Sequence, residues 1–493
     1  MLNYELKSSL RSDLLKKSCA YAHSSIQNSK LIIHSYCIRS AVVLLLSITL
    51  FQSFAQSAEY PSFQDLVDGT ESGGILIPPA GTYAGPGPVT ISEPIIIDGQ
   101  GAVTINAGGK GSVIYLETDG ATLKNLHLTN SGESHNDIDS CVQVRGNFNV
   151  IRDNVIDNSL FGIDLQQSKN NIVRGNHISS KPFELGVRVR LWYSFENKIT
   201  DNIIRDSRDT VVWYSRDNLI ARNDARGGRY SLHFMYAQYN EVVDNHYEDN
   251  SVGIFVMYSD GVHLKNNYIA HATGATGMGI GFKETSDVEV IGNQILYCAT
   301  GLYLDVSPFQ PDTINRIENN LIAYSGIGVL FLNDWTGNNL IGNSFKGNIT
   351  QVAVSGGGKT ANRNLWQANY WDDYEGFDLN QDQVGDKPYE LFSYADRIWM
   401  DVPSARFFKG SPVLEVMDFL ERLAPFTQPN MLVRDEKPYM TAELASKSTI
   451  PSDSESSGES FNSTQSEKIL DSDMKQTEEI FDAYKALRES LGR

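Results

Sequence analysis

Cysteine is scarce, with four in 493 residues, and Cys19 and Cys37 lie in the first 58 residues, which read as a presequence. Cys141 and Cys298 fall several repeat turns apart, beyond the roughly 7 Å between Cα atoms that a disulfide tolerates. A disulfide framework is therefore excluded and two free thiols are expected. Cys141 alternates in phase with Val142-Gln143-Val144 and is expected to pack. Positive charge is also short: 41 Lys and Arg stand against 60 Asp and Glu, a net charge of −19. Nothing concentrates cations against phosphates, so a nucleic-acid partner is excluded. Such acidity suits a chain that meets cations or basic partner surfaces. Long apolar runs are missing too. The run over residues 41–51 falls short of the roughly 20 residues of a membrane span. Lys30 and Arg39 precede it and Ser53-Phe54-Ala55 follows, the order of a secretory signal peptide cleaved near Ala55. The stretch ahead of it is long for such a signal, which points to a translation start nearer Leu31.

What the chain has instead is a repeat. An asparagine followed by a short apolar strand recurs at Asn125, Asn154, Asn176, Asn202, Asn223, Asn245, Asn267, Asn293, Asn320, Asn343 and Asn369. The steps from Asn202 to Asn267 are 21, 22 and 22 residues. A second asparagine often stands five residues earlier, as at Asn171, Asn197, Asn218, Asn240, Asn315 and Asn338. Runs of three to five residues with a two-residue period, broken by Asn, Gly and Asp corners, are strands and not helices. A unit this small cannot bury its apolar face alone and must stack on copies of itself. The expected fold is all-β, a single-stranded right-handed parallel β-helix of about eleven turns, roughly 50 Å long at ~4.8 Å per turn. The asparagines of successive turns then form an amide ladder.

Four regions follow: a presequence over 1–58, the β-helix over 59–375, a C-terminal capping and docking segment over 376–440, and an acidic tail over 441–493. The segment from Pro61 to Val67 reads as an amphipathic cap. The tail is rich in Ser, Glu and Thr and is expected to be disordered, with a possible amphipathic helix over 469–491.

Aligning turns on the asparagine makes each offset a column on the outside of the rod. Nine residues before it stand Tyr193, Tyr214, Tyr236 and Tyr258; ten before it stand Trp192, Trp213, Met235 and Met257. In Leu232-His233-Phe234-Met235 the alternation puts Leu232 and Phe234 inside, His233 and Met235 outside. Met235 and Met257 should be vertical neighbours with an imidazole beside them. Two thioethers and an imidazole suit Cu(I) and fit magnesium or calcium poorly. The bland alternative is a hydrophobic strip that packs under a loop or partner. His177 and His246 share a column three turns apart and cannot share a metal; His127, His135, His263 and His271 read as surface or corner residues.

In the capping segment, Asp378-x-Asn380-x-Asp382-x-x-Gly385-Asp386 places oxygens at alternate positions, as calcium loops do, without the closing Glu of an EF-hand. The same residues could equally form Asx turns. Carbohydrate-active β-helix chemistry would need paired acids on one face. Asp153, Asp201 and Asp244 share a column but are separated by Gly175 and Arg222. Arg188, Arg190 and Asp209 could reach across turns, as salt bridges also would.

The strings Gly228-Arg229-Tyr230-Ser231-Leu232-His233-Phe234-Met235-Tyr236-Ala237 and Val256-Met257-Tyr258-Ser259 resemble the NosD family, periplasmic maturation factors of nitrous oxide reductase. So do Asn369-Tyr370-Trp371-Asp372-Asp373-Tyr374-Glu375-Gly376-Phe377-Asp378 and Tyr394-Ala395-Asp396-Arg397-Ile398-Trp399-Met400. The similarity runs from about Pro61 to Met440, leaving the long N-terminal stretch and the tail as additions. The resemblance implies a non-enzymatic periplasmic subunit that meets the membrane only through an ABC transporter. Its permease and ATPase would be of the NosY and NosF type, and a NosL-type copper chaperone would work with it on the reductase's copper sites. Combined with the columns, it makes His233, Met235 and Met257 the expected Cu(I) ligands, and 397–429, with a helix over 412–423 and Phe407-Phe408, the transporter-docking segment. A metal-free docking scaffold and a carbohydrate-active lyase or epimerase are the rival expectations.

Overall fold

The corner before each ladder asparagine sets the fold. Asp153, Asp201, Asp244, Asn266 and Asn319 all have φ between 55° and 58°, and Gly175, Gly292 and Gly342 occupy the same corner at φ 65° to 69°; Asn125, expected in the ladder, sits in this corner itself at φ 54°, ahead of Leu126. Only Gly, Asn and Asp enter this left-handed region at low cost, which explains the composition of the column. Arg222 (φ 54°) and Ala368 (φ 58°) are the exceptions, and the Arg222 guanidinium bonds Asp201 one turn below. In the computed structural model, described over residues 62–85, 87–181, 186–356, 358–393, 411–424 and 430–442, these corners join three short strands per turn. One turn contains Tyr230–Met235, Glu241–Val243 and His246–Glu248.

Each strand pairs in parallel with its equivalent one turn on, giving a 24-stranded sheet with two strands per turn and a 12-stranded sheet with one. The chain is a right-handed parallel β-helix of about 13 turns, two more than the asparagine repeat counts. The first turns, built on Ile75–Leu76, Gly81–Ala84 and Ile96–Asn106, carry no ladder asparagine. At their upper edge Asn125 instead bonds Asp98 (2.9 Å), so the repeat signature begins late.

Inside the coil, alternate residues of the 12-stranded sheet, Leu232, Phe234, Ile254, Val256, Ile280 and Phe282, are all fully buried, facing the two strands that each turn gives the 24-stranded sheet. Between them run the asparagines. Asn245 is typical: its amide donates to Ile220 O (2.9 Å), Val243 O (3.2 Å) and Asn267 Oδ1 (2.9 Å). Its Oδ1 accepts from the backbone and side chain of Asn223 at 2.9 and 3.0 Å. A buried amide is thereby saturated in every turn, as burial of polar groups demands. Cys141 and Cys298 are buried and unpaired, as expected.

At the first turns the helix Phe63–Asp68 packs Phe63 and Val67 into the core, with Ser62 and Asp65 forming a reciprocal capping box. At the last turn, the antiparallel strands Tyr389–Ser393 and Asn430–Asp435 bring Asp435 onto the end of the ladder. Its carboxylate accepts from Ala368 N, Asn369 N, Asn369 Nδ2 and Trp371 Nε1 at 2.9 to 3.2 Å. The terminal donors that a further turn would have satisfied end on this buried acid. The helix Pro412–Leu423 is present where the sequence places it, and Val413, Val416, Met417, Phe419, Leu420 and Leu423 are exposed on it. Residues 1–61, which hold the expected presequence, 394–410 with Phe407-Phe408, 425–429 and 443–493 lie outside the described residues.

Candidate functional site

The outward columns fall where the repeat puts them. Trp192 pairs with Trp213, Trp213 with Met235, and Met235 with Met257, in four successive turns. Beside them the four tyrosines occupy the left-handed corner, with φ from 49° to 52°. Their rings stack in sequence, Tyr193 on Tyr214 (4.9 Å), Tyr214 on Tyr236 (5.2 Å) and Tyr236 on Tyr258 (5.1 Å). Positive φ is costly for a tyrosine, and the offset stacks, each worth about 0.5–1.5 kcal/mol, oppose that cost.

Strands Tyr230–Met235 and Val252–Met257 hold the three expected copper ligands. Met235 and Met257 are register partners, and His233 is opposite Phe255, two residues from Met257 on the same face. His233 Nε2 and Met257 Sδ lie 3.2 Å apart. All three side chains are half-buried. The imidazole sits in an aromatic box: Tyr230 stacks on it at 5.1 Å, Trp213 meets it edge-on at 6.0 Å, and Phe255 lies at 6.2 Å.

Burial in this box lowers the His233 pKa to about 4; Asp209 opposes the shift and Arg229 adds to it. Arg229 and Arg208 both pair with Asp209. His233 is therefore neutral at physiological pH, the form in which imidazole ligates a metal without first releasing a proton. Tyr230, Phe255 and the Asp209–Arg229 pair belong to this site and were not singled out by the columns. Tyr230 could have been found, since it precedes His233 by three residues in the same strand.

The other expectations fare differently. His177 and His246 are separated by two intervening register partners, Ile203 and Asp224, so they cannot share an ion. In the 378–386 loop the oxygens are already engaged. Asp378 accepts from Asp382 N (3.2 Å) and Gln383 N (2.7 Å), Asn380 from Asp382 N (3.0 Å), Asp382 from Val384 N (2.8 Å) and Asp386 from Leu379 N (2.6 Å). The contacts of Asn380 with Asp382 N and of Asp382 with Val384 N are Asx turns. Gly385 has its own reason, since a Cβ there would meet Tyr374 Oη at 2.1 Å. Nothing in this loop favours calcium over the turn reading.

Of the three acids weighed for a carbohydrate enzyme, Asp153 and Asp201 are ion-paired. Asp153 pairs with Arg152 (2.6 Å) and Asp201 with Arg174 (3.3 Å) and Arg222 (2.7 Å). Asp164 is fully buried against Arg190. Arg188 is fully buried and donates to Ser207 O (2.8 Å).

Residues 182–376 match the protein family described as "Periplasmic copper-binding protein (NosD)". The "Probable ABC transporter binding protein NosD" of Pseudomonas aeruginosa is 27% identical over 402 residues, covering 74% of this chain and 88% of that protein. The protein of the same name from Stutzerimonas stutzeri is 34% identical over 131 residues, 26% of this chain and 29% of that protein. Among solved structures, the A-module of Azotobacter vinelandii mannuronan C-5 epimerase AlgE6 has a TM-score of 0.46 at 17% identity, over 62% of this chain and 95% of that one. The AlgE4 A-module has a TM-score of 0.46 at 16% identity, over 61% and 95%. Neither likeness bears on function.

Proposed function

Taking the chain as a NosD-family protein, we propose that it is a periplasmic, non-enzymatic accessory of an ABC transporter that holds Cu(I) in transit to the copper sites of nitrous oxide reductase. Copper is cargo here. The ligands are His233, Met235 and Met257, and the observation that carries the reading is the 3.2 Å approach of His233 Nε2 to Met257 Sδ around a neutral imidazole. Thioether sulfur and imidazole are soft-to-borderline donors that prefer Cu(I) to hard cations. Few ligands on an open face favour handover over storage, because an incoming donor can enter before an outgoing one leaves.

The names of the matching family and of the relatives fit this assignment: the first describes copper binding in the periplasm, the others binding to an ABC transporter. The partners would be a NosY-type permease, a NosF-type ATPase that hydrolyses the ATP, and a NosL-type chaperone that supplies the ion. Export by the signal segment, with cleavage near Ala55, would bring the chain to them. Among the described residues no helix is long and apolar enough to cross a membrane. Membrane contact would then come through the transporter, with the exposed apolar side chains of Pro412–Leu423 as the docking element. A metal-free docking scaffold is the second reading, favoured by the same exposed helix. The ion-paired state of Asp153, Asp201 and Asp164 speaks against a lyase or epimerase.

The test is Cu(I) binding by the mature chain in competition with a chromophoric chelator, run beside the Met235→Ala, Met257→Ala double variant and Asp378→Ala. One equivalent bound by the native chain and by Asp378→Ala, and lost in the double variant, is the expected outcome. A native chain that takes up no Cu(I) would leave the scaffold reading.

A further inference from the structure

A second convergence of metal-ligating groups lies on another corner of the coil. Asp249 and His271 occupy equivalent left-handed positions in successive turns, at φ 55° and 58°, and Asp249 N bonds Ala270 O directly beside His271. Glu248 closes the strand His246–Glu248 that leads into this corner. The stacking of turns thus puts a carboxylate and an imidazole one above the other, with a second carboxylate alongside.

His271 Nδ1 lies 3.4 Å from Glu248 Oε1 and 3.5 Å from Asp249 Oδ1, and one donor atom from each residue falls within 4.8 Å of the others. Both distances exceed the 2.7–3.2 Å of an N–H···O hydrogen bond. They match the edge of a metal polyhedron: two bonds of about 2.0–2.2 Å at a tetrahedral angle set donors roughly 3.3–3.6 Å apart. Tyr297 packs against the imidazole face at 5.3 Å and limits its swing. Arg226 Nη1 takes the other Glu248 oxygen, Oε2, at 3.0 Å, and Arg226 Nη2 lies 3.5 Å from His246 Nε2. That guanidinium keeps Oε2 and His246 out of the set and leaves Oε1 facing His271.

We propose that Glu248, Asp249 and His271 form a site for a divalent cation of the zinc class, separate from the thioether site. One imidazole and two carboxylates suit Zn²⁺ or Cu²⁺ and offer Cu(I) no sulfur. Three protein donors leave at least one coordination position for water or for a ligand from a partner. The site does not depend on the copper assignment, so the two stand or fall separately.

The experiment titrates the mature chain with Zn²⁺, and in a parallel arm with Cu²⁺, against a chromophoric chelator. The variants are His271→Ala, Glu248→Gln, His246→Ala and the Met235→Leu, Met257→Leu double variant, each checked for its β-sheet circular dichroism. The expected result is one equivalent bound by the native chain and by the methionine and His246 variants. His271→Ala and Glu248→Gln should weaken binding by more than about tenfold. Absence of Zn²⁺ and Cu²⁺ binding in the native chain overturns the proposal. So does undiminished binding in a folded His271→Ala chain, or a loss confined to the methionine variant.

Discussion

Two columns of the same coil use in-register stacking to opposite ends. Along the buried asparagine column every amide is closed on its neighbours, from Asn154 through Asn245 to Asn369 and onto Asp435. Along the outward column the stacked groups are Trp192, Trp213, Met235 and Met257, and the one polar contact is between His233 and a thioether. The repeat brings like residues into contact in both. Where the donors are saturated the column holds the fold; where they converge without being spent it can take a ligand.

This contrast breaks most visibly in the ladder. Asn245→Ala removes five hydrogen bonds and strands buried groups of Asn223 and Ile220. At about 1–3 kcal/mol per unsatisfied group, a loss of roughly 3 kcal/mol or more is expected, read as a lowered urea midpoint. The Met235→Leu, Met257→Leu double variant should do the reverse. Leu and Met are near in volume, so the stability change should stay within about 1.5 kcal/mol, while Cu(I) affinity falls by at least about tenfold as both soft donors go.

A pH series sharpens the comparison. The His233 pKa is lowered from 6.5 to about 4, so between those values the unfolded chain binds the proton and the folded chain does not. Stability from this residue is therefore full above pH 6.5, falls as the pH drops towards 4, and levels off below. His233→Phe should flatten that part of the profile, and Cu(I) binding by the native chain should persist to about pH 5. The smallest effect belongs to the tyrosine stack. Tyr214→Asn loses three ring contacts, to Trp192, Tyr193 and Tyr236, worth about 0.5–1.5 kcal/mol each, but places at φ 52° a residue that adopts the left-handed region at lower cost. The net loss should be near 1 kcal/mol in thermal unfolding, with Cu(I) affinity unchanged.

Much of this was legible in the sequence because the period turns an offset into a neighbour. The alternation of Leu232 and Phe234 with His233 and Met235, the tyrosine column and the methionine pair all follow from counting back from an asparagine. What the period does not encode was lost. Asp435 closes the ladder from 66 residues beyond Asn369 with no repeat to announce it. The first turns carry no ladder asparagine and so escaped the count. His271 reads as a corner residue because the columns were counted back from the asparagine, whereas His271 and Asp249 share the offset four residues after it, with Glu248 beside Asp249. In the 378–386 loop the ambiguity is chemical: the same Asp and Asn oxygens can serve a cation or the backbone, and here they accept from Asp382 N, Gln383 N and Val384 N.

The central claim, that an outward column holds Cu(I) through sulfur and imidazole, is tested most directly by X-ray absorption on the mature chain loaded with one equivalent of Cu(I). The account predicts a first shell containing both sulfur and imidazole nitrogen, with the sulfur contribution reduced in Met257→Leu and the imidazole contribution lost in His233→Phe. A shell of nitrogen and oxygen alone, or one untouched by either substitution, would contradict it.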